Sequence, residues 1–372
     1  MKTYNLACGC SFELLTDDPL SYEERGMIPP INLNSIPLNC QRVWNLLAKG
    51  MTKGVFQLES IGKKWSRILK PQSIEHLSAL ISLLRPGCLE ALDEKGRSMT
   101  KVYCDRKNGE PFECLPILKP ILEKTYGVIC YQEQIIEISR VIGGFNLEQA
   151  DMLRKSIGKK LTSEMIKCRK MFLEGNKKTK AVSEEEAEKI FSWIEASQRY
   201  SFNKSHAMAY ALNSYHSAYL KAHFPLQFFL SSLYFSRNNK NEVSELIQEA
   251  KRMKISILPP KVSHLKKHFY IDGNSIRFGI CDIKGISKKV YLELVQIEKE
   301  LKEMNLSIND LTWEEFLIFY STRVGYSNMV SLVKAGGFDE KKNASTAEDF
   351  VFSKKISVEE SPSFFQTEFF FS

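Results

Sequence analysis

Two stretches of this chain set cations against the ends of helices. Residues 127–160 read GVICYQEQIIEISRVIGGFNLEQADMLRKSIGKK, with Arg154, Lys155, Lys159 and Lys160 within seven positions. Residues 200–225 read YSFNKSHAMAYALNSYHSAYLKAHFP, with Lys204 and His206 where a helix should begin. A helix start carries unpaired N–H groups and the positive end of the helix dipole, and so attracts anions. Asn203 or Ser205 can cap it, and Tyr210 falls one turn beyond His206 on the same face. The chemistry is neutralisation of phosphate. An ordinary capped helix whose Tyr and Ala stripe is core explains the second stretch equally well. Cations near a helix C-terminus are favourable through the dipole alone, but four of them exceed what capping requires. Arg85, ahead of Pro86-Gly87, adds a cation at a turn.

These side chains need a folded frame, and the totals permit one. The 372 residues suffice for two or three domains; 43% are hydrophobic and 26% charged, as in a soluble globular protein. The formal net charge of +8 permits a nucleic-acid partner without demanding one. Between Arg154 and Lys180 the acids are only Glu164 and Glu174, so that run reads either as a polyanion-facing surface or as a solvated face. Nine cysteines, an odd number, sit in apolar or helical contexts and fit reduced thiols in a cytoplasm. Cys8 and Cys10 are too closely spaced for a common zinc motif, and Cys40 and the distant histidines supply no clear second half. No metal site is therefore expected. No apolar run reaches the ~18 residues of a membrane span.

The elements follow from periodicity and breakers. Residues 1–30 show no clear period and end at Pro29-Pro30. Helices are predicted over 40–48, 61–69 (stopped by Pro71) and 73–84 (stopped by Pro86, with Ser73 as N-cap). Residues 93–115 are polar and read as a surface excursion. Further helices are predicted at 118–124, 132–142, 147–157 with Gly158 as C-cap, 163–174, 183–197, 206–223, 225–235 and 243–253. ISILPP from Ile255 reads as a linker. Alternation at 271–280 around Asp272-Gly273 predicts a hairpin, and DIKGISKK a loop opening a helix. The fold class is mainly α, with a helical domain over 31–253, a small α/β domain over 254–340, an N-terminal extension over 1–30, and a flexible tail over 341–372.

Four blocks in order, Gly54–Ser60 (GVFQLES), Leu84–Glu90 (LRPGCLE), 127–160 and 200–225, resemble the fingers of the C-family bacterial replicative DNA polymerases. The 255–340 unit is similar to the helix-hairpin-helix region that follows them, with Ser287 in place of the second glycine of an I-K-G-h-G run. Cys88 replaces the second proline of the family's L-x-R-P-G-P-L turn. The resemblance implies fingers that bind an incoming dNTP and primer–template DNA in replication. Arg154, Lys155, Lys204 and His206 would then contact the nucleotide phosphates. Arg85, Lys159, Lys160, Lys284, Lys288 and Lys289 would contact DNA, and Gln132 and Glu133 would brace the fingers by hydrogen bonds. The tail tip, Gln366-Thr367-Glu368-Phe369-Phe370, resembles a sliding-clamp peptide, in which Gln366, Phe369 and Phe370 would make the contacts. The family holds Mg²⁺ through palm carboxylates in a P-D-x-D-x-D-type run. These residues contain none, so Mg²⁺ is expected only in a complex with a separate palm-bearing chain, in a bacterial cell or a phage-infected one. The chain alone is then expected to be inactive. The alternative is a noncatalytic DNA- or clamp-binding regulator derived from a polymerase.

Overall fold

The computed structural model describes residues 3–16, 29–159, 162–197, 201–308, 310–311, 320 and 322–338. The chain divides into two compact units, one comprising Met1–Asp17 with Pro30–His223, the other Asp18–Pro29 with Phe224–Ser372. The architecture is mainly helical with two small sheets.

The first unit opens with a hairpin, β1 (Thr3–Asn5) paired antiparallel to β2 (Ser11–Glu13). The aperiodic reading of this segment is thus corrected: three-residue strands are too short to show alternation. Phe12 and Leu14 are buried. Helices α1 (Gln41–Ala48), α2 (Ile61–Leu69) and α3 (Ile74–Leu83) follow the predicted spacing, and the Ser73 hydroxyl caps α3 by accepting from the His76 N–H. Pro86 ends that run and also begins α4 (Pro86–Glu90), where a Pro in the first turn costs no hydrogen bond. Cys88 is fully buried there, its thiol 3.7 Å from the Ser82 carbonyl.

Residues 93–115 are not merely a surface excursion. They contain α5 (Met99–Lys107), capped by Ser98, with Thr100, Val102, Tyr103 and Cys104 buried. The buried positions are nearly contiguous and half of them polar or small, so no 3.6-residue stripe betrays the helix. After α6 (Lys119–Leu122) come four helices around one core: α7 (Gln132–Val141), α8 (Leu147–Lys159), α9 (Thr162–Thr179) and α10 (Glu184–Ser197). Ile135, Ile138, Leu153, Phe172, Phe191 and Ile194 belong to that core. Gly158 does not cap α8, which runs on through Lys159. The unit closes with α11 (Lys204–His223), two residues earlier in its start than predicted.

The second unit holds α12 (Pro225–Ser236) and α13 (Lys240–Arg252). A three-stranded sheet follows, made of β3 (Ser256–Leu258), β4 (Tyr270–Asp272) and β5 (Ser275–Arg277), in the order β3-β5-β4. The β4–β5 hairpin turns at Gly273, as predicted. ISILPP is no linker: Ser256, Ile257 and Leu258 pair in parallel with β5. Helices α14 (Lys288–Glu303) and α15 (Tyr326–Lys334) follow in the same unit.

Two positions in the first unit make its packing testable. Gly175 lies in α9, where a Cβ would meet the Gly143 carbonyl oxygen at 1.8 Å. Ala is the better helix former by ~1 kcal/mol, but the clash is with backbone and cannot be relieved by a rotamer change. Gly175→Ala should therefore destabilise by about 2–3 kcal/mol in urea unfolding, against the sign that propensity alone gives.

His76 is half-buried. Its Nδ1 accepts from the Gln72 N–H at 3.3 Å, and its Nε2 faces the Tyr126 hydroxyl at 2.8 Å. Burial, and secondarily the Lys107 charge, push its pKa down from 6.5 to about 4. The unfolded chain then binds a proton across this window that the folded chain refuses. The contribution is fully present above the unfolded value and is lost as pH falls toward 4. The stability deficit of His76→Gln relative to the parent chain should accordingly shrink between about pH 7.5 and about pH 5 in urea titrations.

Candidate phosphate-binding surface

Helix α11 gathers residues from all four sequence blocks. The turn of the first block is latched to it: Ser214 Oγ donates to the Phe56 carbonyl at 2.9 Å, and Ser217 Oγ to the Gly54 carbonyl at 3.3 Å. The Phe56 ring lies 5.1 Å from Tyr210. The second block contributes Arg85, whose guanidinium stacks on Phe202 at 3.7 Å. The third contributes Tyr131 and Glu133. Residues 130–132 pair with Phe202 through a parallel bridge in which the Phe202 N–H donates to the Cys130 carbonyl and the Gln132 N–H to the Phe202 carbonyl. Lys204, the first residue of α11, holds its ammonium 5.7 Å from the Tyr131 ring. The His206 ring lies 4.2 Å from Tyr210 and 5.1 Å from Phe202. Arg85, Lys204 and His206 are all exposed.

The N-terminus of α11 is not bare. Glu133 accepts from the Lys204 backbone N–H at 3.0 and 3.1 Å and from the Asn203 side-chain amide at 3.0 Å. Asn203 Oδ1 in turn accepts from the His206 N–H at 2.9 Å, so Asn203 is the cap. The expectation of outward, unpaired first-turn N–H groups is corrected: a carboxylate of the protein already sits on the positive helix end. A phosphate at this surface would meet the heads of Lys204, Arg85 and His206 rather than the backbone amides. Glu133 is the brace that the resemblance implied. Gln134 is a second brace that sequence reading missed. Its Oε1 accepts from the N–H groups of Cys130 and Tyr131, and its Nε2 donates to the Ile121 carbonyl and to Thr125 Oγ1, using all four of its side-chain bonding sites. Burial pushes the Tyr131 phenol pKa up, and its hydroxyl donates to Ser78 at 3.0 Å.

The other cations are placed differently. Arg154 and Lys155 both bond Asp151 one turn back on α8, at 2.7 and 2.8 Å. Among the described residues neither contacts the Lys204 group. Two cations of the basic run that follows are paired with acids from α10: Arg169 with Glu188 and with Glu195 (2.8 Å), and Lys177 with Glu184 at 3.6 Å. The acids that pair with Arg169 and Lys177 lie outside the 154–180 window, so the run is less one-sided in charge than its sequence suggests. The structure gives Lys159 its place at the end of α8 and nothing of its side chain; Lys160, Gln366, Phe369 and Phe370 lie outside the described residues.

In the second unit Lys284, Lys288 and Lys289 are exposed around the turn that opens α14. Gly285 there adopts φ +83°, a conformation glycine takes without strain. Ser287 caps α14, its hydroxyl accepting from the Val290 N–H at 3.4 Å.

Residues 20–180 match the bacterial DNA polymerase III alpha subunit finger domain, and residues 254–346 a helix-hairpin-helix motif. Relatives include the DNA polymerase III subunit alpha of Aquifex aeolicus (strain VF5), 38% identical over 316 residues, spanning 84% of this chain and 26% of the relative. That of Thermus aquaticus is 38% identical over 318 residues (83% and 25%), and that of Escherichia coli (strain K12) 40% over 269 residues (70% and 23%). The fold and the converging blocks are thus those of a polymerase fingers region. The chain belongs to the bacterial DNA polymerase III alpha family, of which it carries the finger and helix-hairpin-helix portion. It spans about a quarter of the length of these relatives. Among the described residues no helix is long and apolar enough to cross a membrane.

The different duties of Glu133 and Lys204 can be separated by mutation. Glu133→Ala removes charge-assisted bonds to the α11 start and should cost about 1–2 kcal/mol in urea unfolding. Lys204→Ala removes an exposed cation that has no ion-pair partner among the described residues, and should stay within ~0.5 kcal/mol of the parent.

Proposed function

We propose that this chain provides the fingers of a DNA-directed DNA polymerase, binding the incoming dNTP through Lys204, His206 and Arg85, with primer–template DNA alongside. The observation that carries this reading is the convergence of four separate sequence blocks on α11, the second and third at its start and the first further along it at Tyr210, Ser214 and Ser217. Two cations and an imidazole meet there beside the exposed aromatic Phe56. Arg154 and Lys155 join the nucleotide phosphates only by exchanging Asp151 for them, which makes them secondary contacts. Lys159 and Lys160, and in the second unit Lys284, Lys288 and Lys289, are proposed for the DNA backbone, where neutralisation of phosphate releases counterions and makes affinity fall with salt. The tail residues Gln366, Phe369 and Phe370 are proposed to engage a sliding clamp.

The reaction is attack of a primer 3′-hydroxyl on the α-phosphorus of the nucleotide, with pyrophosphate leaving. The surface around Lys204 does not fit Mg²⁺. The carboxylate at the α11 start, Glu133, is engaged by Asn203 and the α11 backbone. No group of three ligating side chains lies there among the described residues. The metal carboxylates are therefore assigned to a palm-bearing polypeptide outside these 372 residues. What this chain contributes is charge neutralisation of the triphosphate and its orientation.

The test is nucleotide binding in a reconstituted complex with a palm-bearing polypeptide. A charge-assisted hydrogen bond is worth about 1.5–3 kcal/mol. Lys204→Glu should weaken dNTP binding at least about tenfold there, with an unchanged melting curve. The chain alone should show only background primer extension with Mg²⁺ and four dNTPs. Unchanged dNTP affinity in Lys204→Glu removes α11 from the nucleotide site.

A further inference from the structure

At the opposite end of α11 three ligand side chains meet for which polymerase chemistry has no use. Cys8 comes from the β1–β2 turn, Cys40 from the residue preceding α1, and His223 from the last position of α11. Their donor atoms all lie within 4.8 Å of one another. Cys8 Sγ is 4.0 Å from Cys40 Sγ and 4.0 Å from His223 Nε2, and Cys40 Sγ is 3.3 Å from His223 Nε2. A fourth donor stands two residues on from Cys8 across the same hairpin turn: Cys10, a free thiol near Cys8 and Cys40. We infer that Cys8, Cys10, Cys40 and His223 form a structural zinc site.

The metric supports tetrahedral coordination. Zinc bonds thiolates at about 2.3 Å and imidazole at about 2.0–2.1 Å, which requires S···S edges of about 3.8 Å and S···N edges of about 3.6 Å. The three separations among Cys8, Cys40 and His223 bracket these values within a few tenths of an ångström. They are nearly twice a disulfide bond, so Cys8 and Cys40 are not cross-linked. The ligand set of three thiols and one imidazole with no open position is that of closed, structural zinc sites. On binding, each thiol gives up its proton to solvent and His223 offers the neutral Nε2 lone pair. Three thiolates on Zn²⁺ leave one net negative charge.

The surroundings suit such a centre. Gly9, between the two hairpin cysteines, takes φ +83°, and the Leu6 N–H closes the turn on the Cys10 carbonyl at 2.8 Å. Cys40 stands at the N-terminus of α1, where the helix dipole favours an anion, and its thiol makes no capping bond. Tyr215 fixes the Cys40 backbone: its hydroxyl donates to the Pro37 carbonyl at 2.8 Å and accepts from the Cys40 N–H at 3.2 Å. The Tyr219 ring packs on His223 at 4.4 Å, and its hydroxyl is buried with no hydrogen-bond partner among the described residues. That hydroxyl lies within electrostatic reach of all three thiols, and a thiolate would supply the acceptor it lacks. Arg42 lies close enough to His223 to balance the charge of the centre. Bound zinc would tie the N-terminal hairpin to both α1 and the end of α11, segments some two hundred residues apart.

The full chain, produced with zinc in the medium and dialysed against metal-free buffer, should hold about one zinc by elemental mass spectrometry. Cobalt substitution should give a thiolate-to-metal charge-transfer band. Cys8→Ser is the cleanest variant, because Cys8 is exposed and its loss should leave the helical circular dichroism intact. It and His223→Ala should each weaken zinc in a chelator competition by more than the ~10–100-fold that an outer-shell partner is worth. Cys10→Ser should do the same. A folded parent chain without zinc and without the cobalt band overturns the site. So does wild-type zinc affinity in folded Cys8→Ser or Cys10→Ser, or a native Cys8–Cys40 disulfide by non-reducing peptide mapping.

Discussion

The first unit depends on the packing of α11 against α3. Every residue of α3 from Leu77 to Leu83 is buried, so this helix must be covered on all sides. Helix α11 packs along it and buries Ala207, Ala211, Ser214, Ala218 and Ala222. Small residues at this spacing form a single stripe, and a stripe without bulk lets two helices approach closely. The one hydroxyl proton of Ser214 is shared between the Phe56 and Tyr210 carbonyls, so this buried hydroxyl is satisfied. A twenty-residue helix is ~30 Å long. Fixing its middle therefore fixes two ends that are remote from each other: Lys204 and His206 at one, Tyr219 and His223 at the other.

That geometry explains why the cations are not equivalent. Arg154 and Lys155 have an aspartate one turn away on their own helix, which a local i, i+3 and i, i+4 spacing makes automatic. Lys204 follows a cap rather than an acid. Glu133 is drawn to the backbone N–H of Lys204 and to Asn203, and makes no ion pair with the ammonium. The helix end is thereby neutralised while the side-chain charge stays available. Exposed ion pairs are worth ~0–1 kcal/mol, so the Asp151 pairings do little for stability. They do lower the charge that α8 presents to a polyanion.

How much of this could be read from residues alone differs by kind of signal. Helix boundaries set by local chemistry were legible: Ser73 as a cap, Pro71 and Pro86 as breakers, and Asp272-Gly273 as a hairpin turn are each decided by neighbours in sequence. Elements whose stability comes from elsewhere were not. Helix α5 has no apolar stripe, because Thr100 and Cys104 are buried by packing rather than selected by hydrophobicity. Strand β3 looks like a linker until β5 is beside it. Gly158 carries the residue type of a C-cap, but α8 passes through it. The order of the four blocks was readable; their convergence on α11 was not, since Arg85 and Phe202 are separated by more than a hundred residues.

The cysteines show the same limit from the other side. A C-x-C pair is a poor zinc signature because the motif rules presume that both halves are local pairs. Here the second half is assembled by the fold from a residue ahead of α1 and the last residue of α11. Each is held by a neighbour with its own structural reason to be there: Tyr215 bonds the backbone at Cys40, and Tyr219 packs on His223. Both tyrosines are buried on α11 beside the small-residue stripe. The packing that presents Lys204 at one end of the helix is therefore the packing that brings His223 to the thiols at the other. A variant that loosened α11 from α3 would be expected to disturb both ends together, whereas a variant of the thiols would act at one end only.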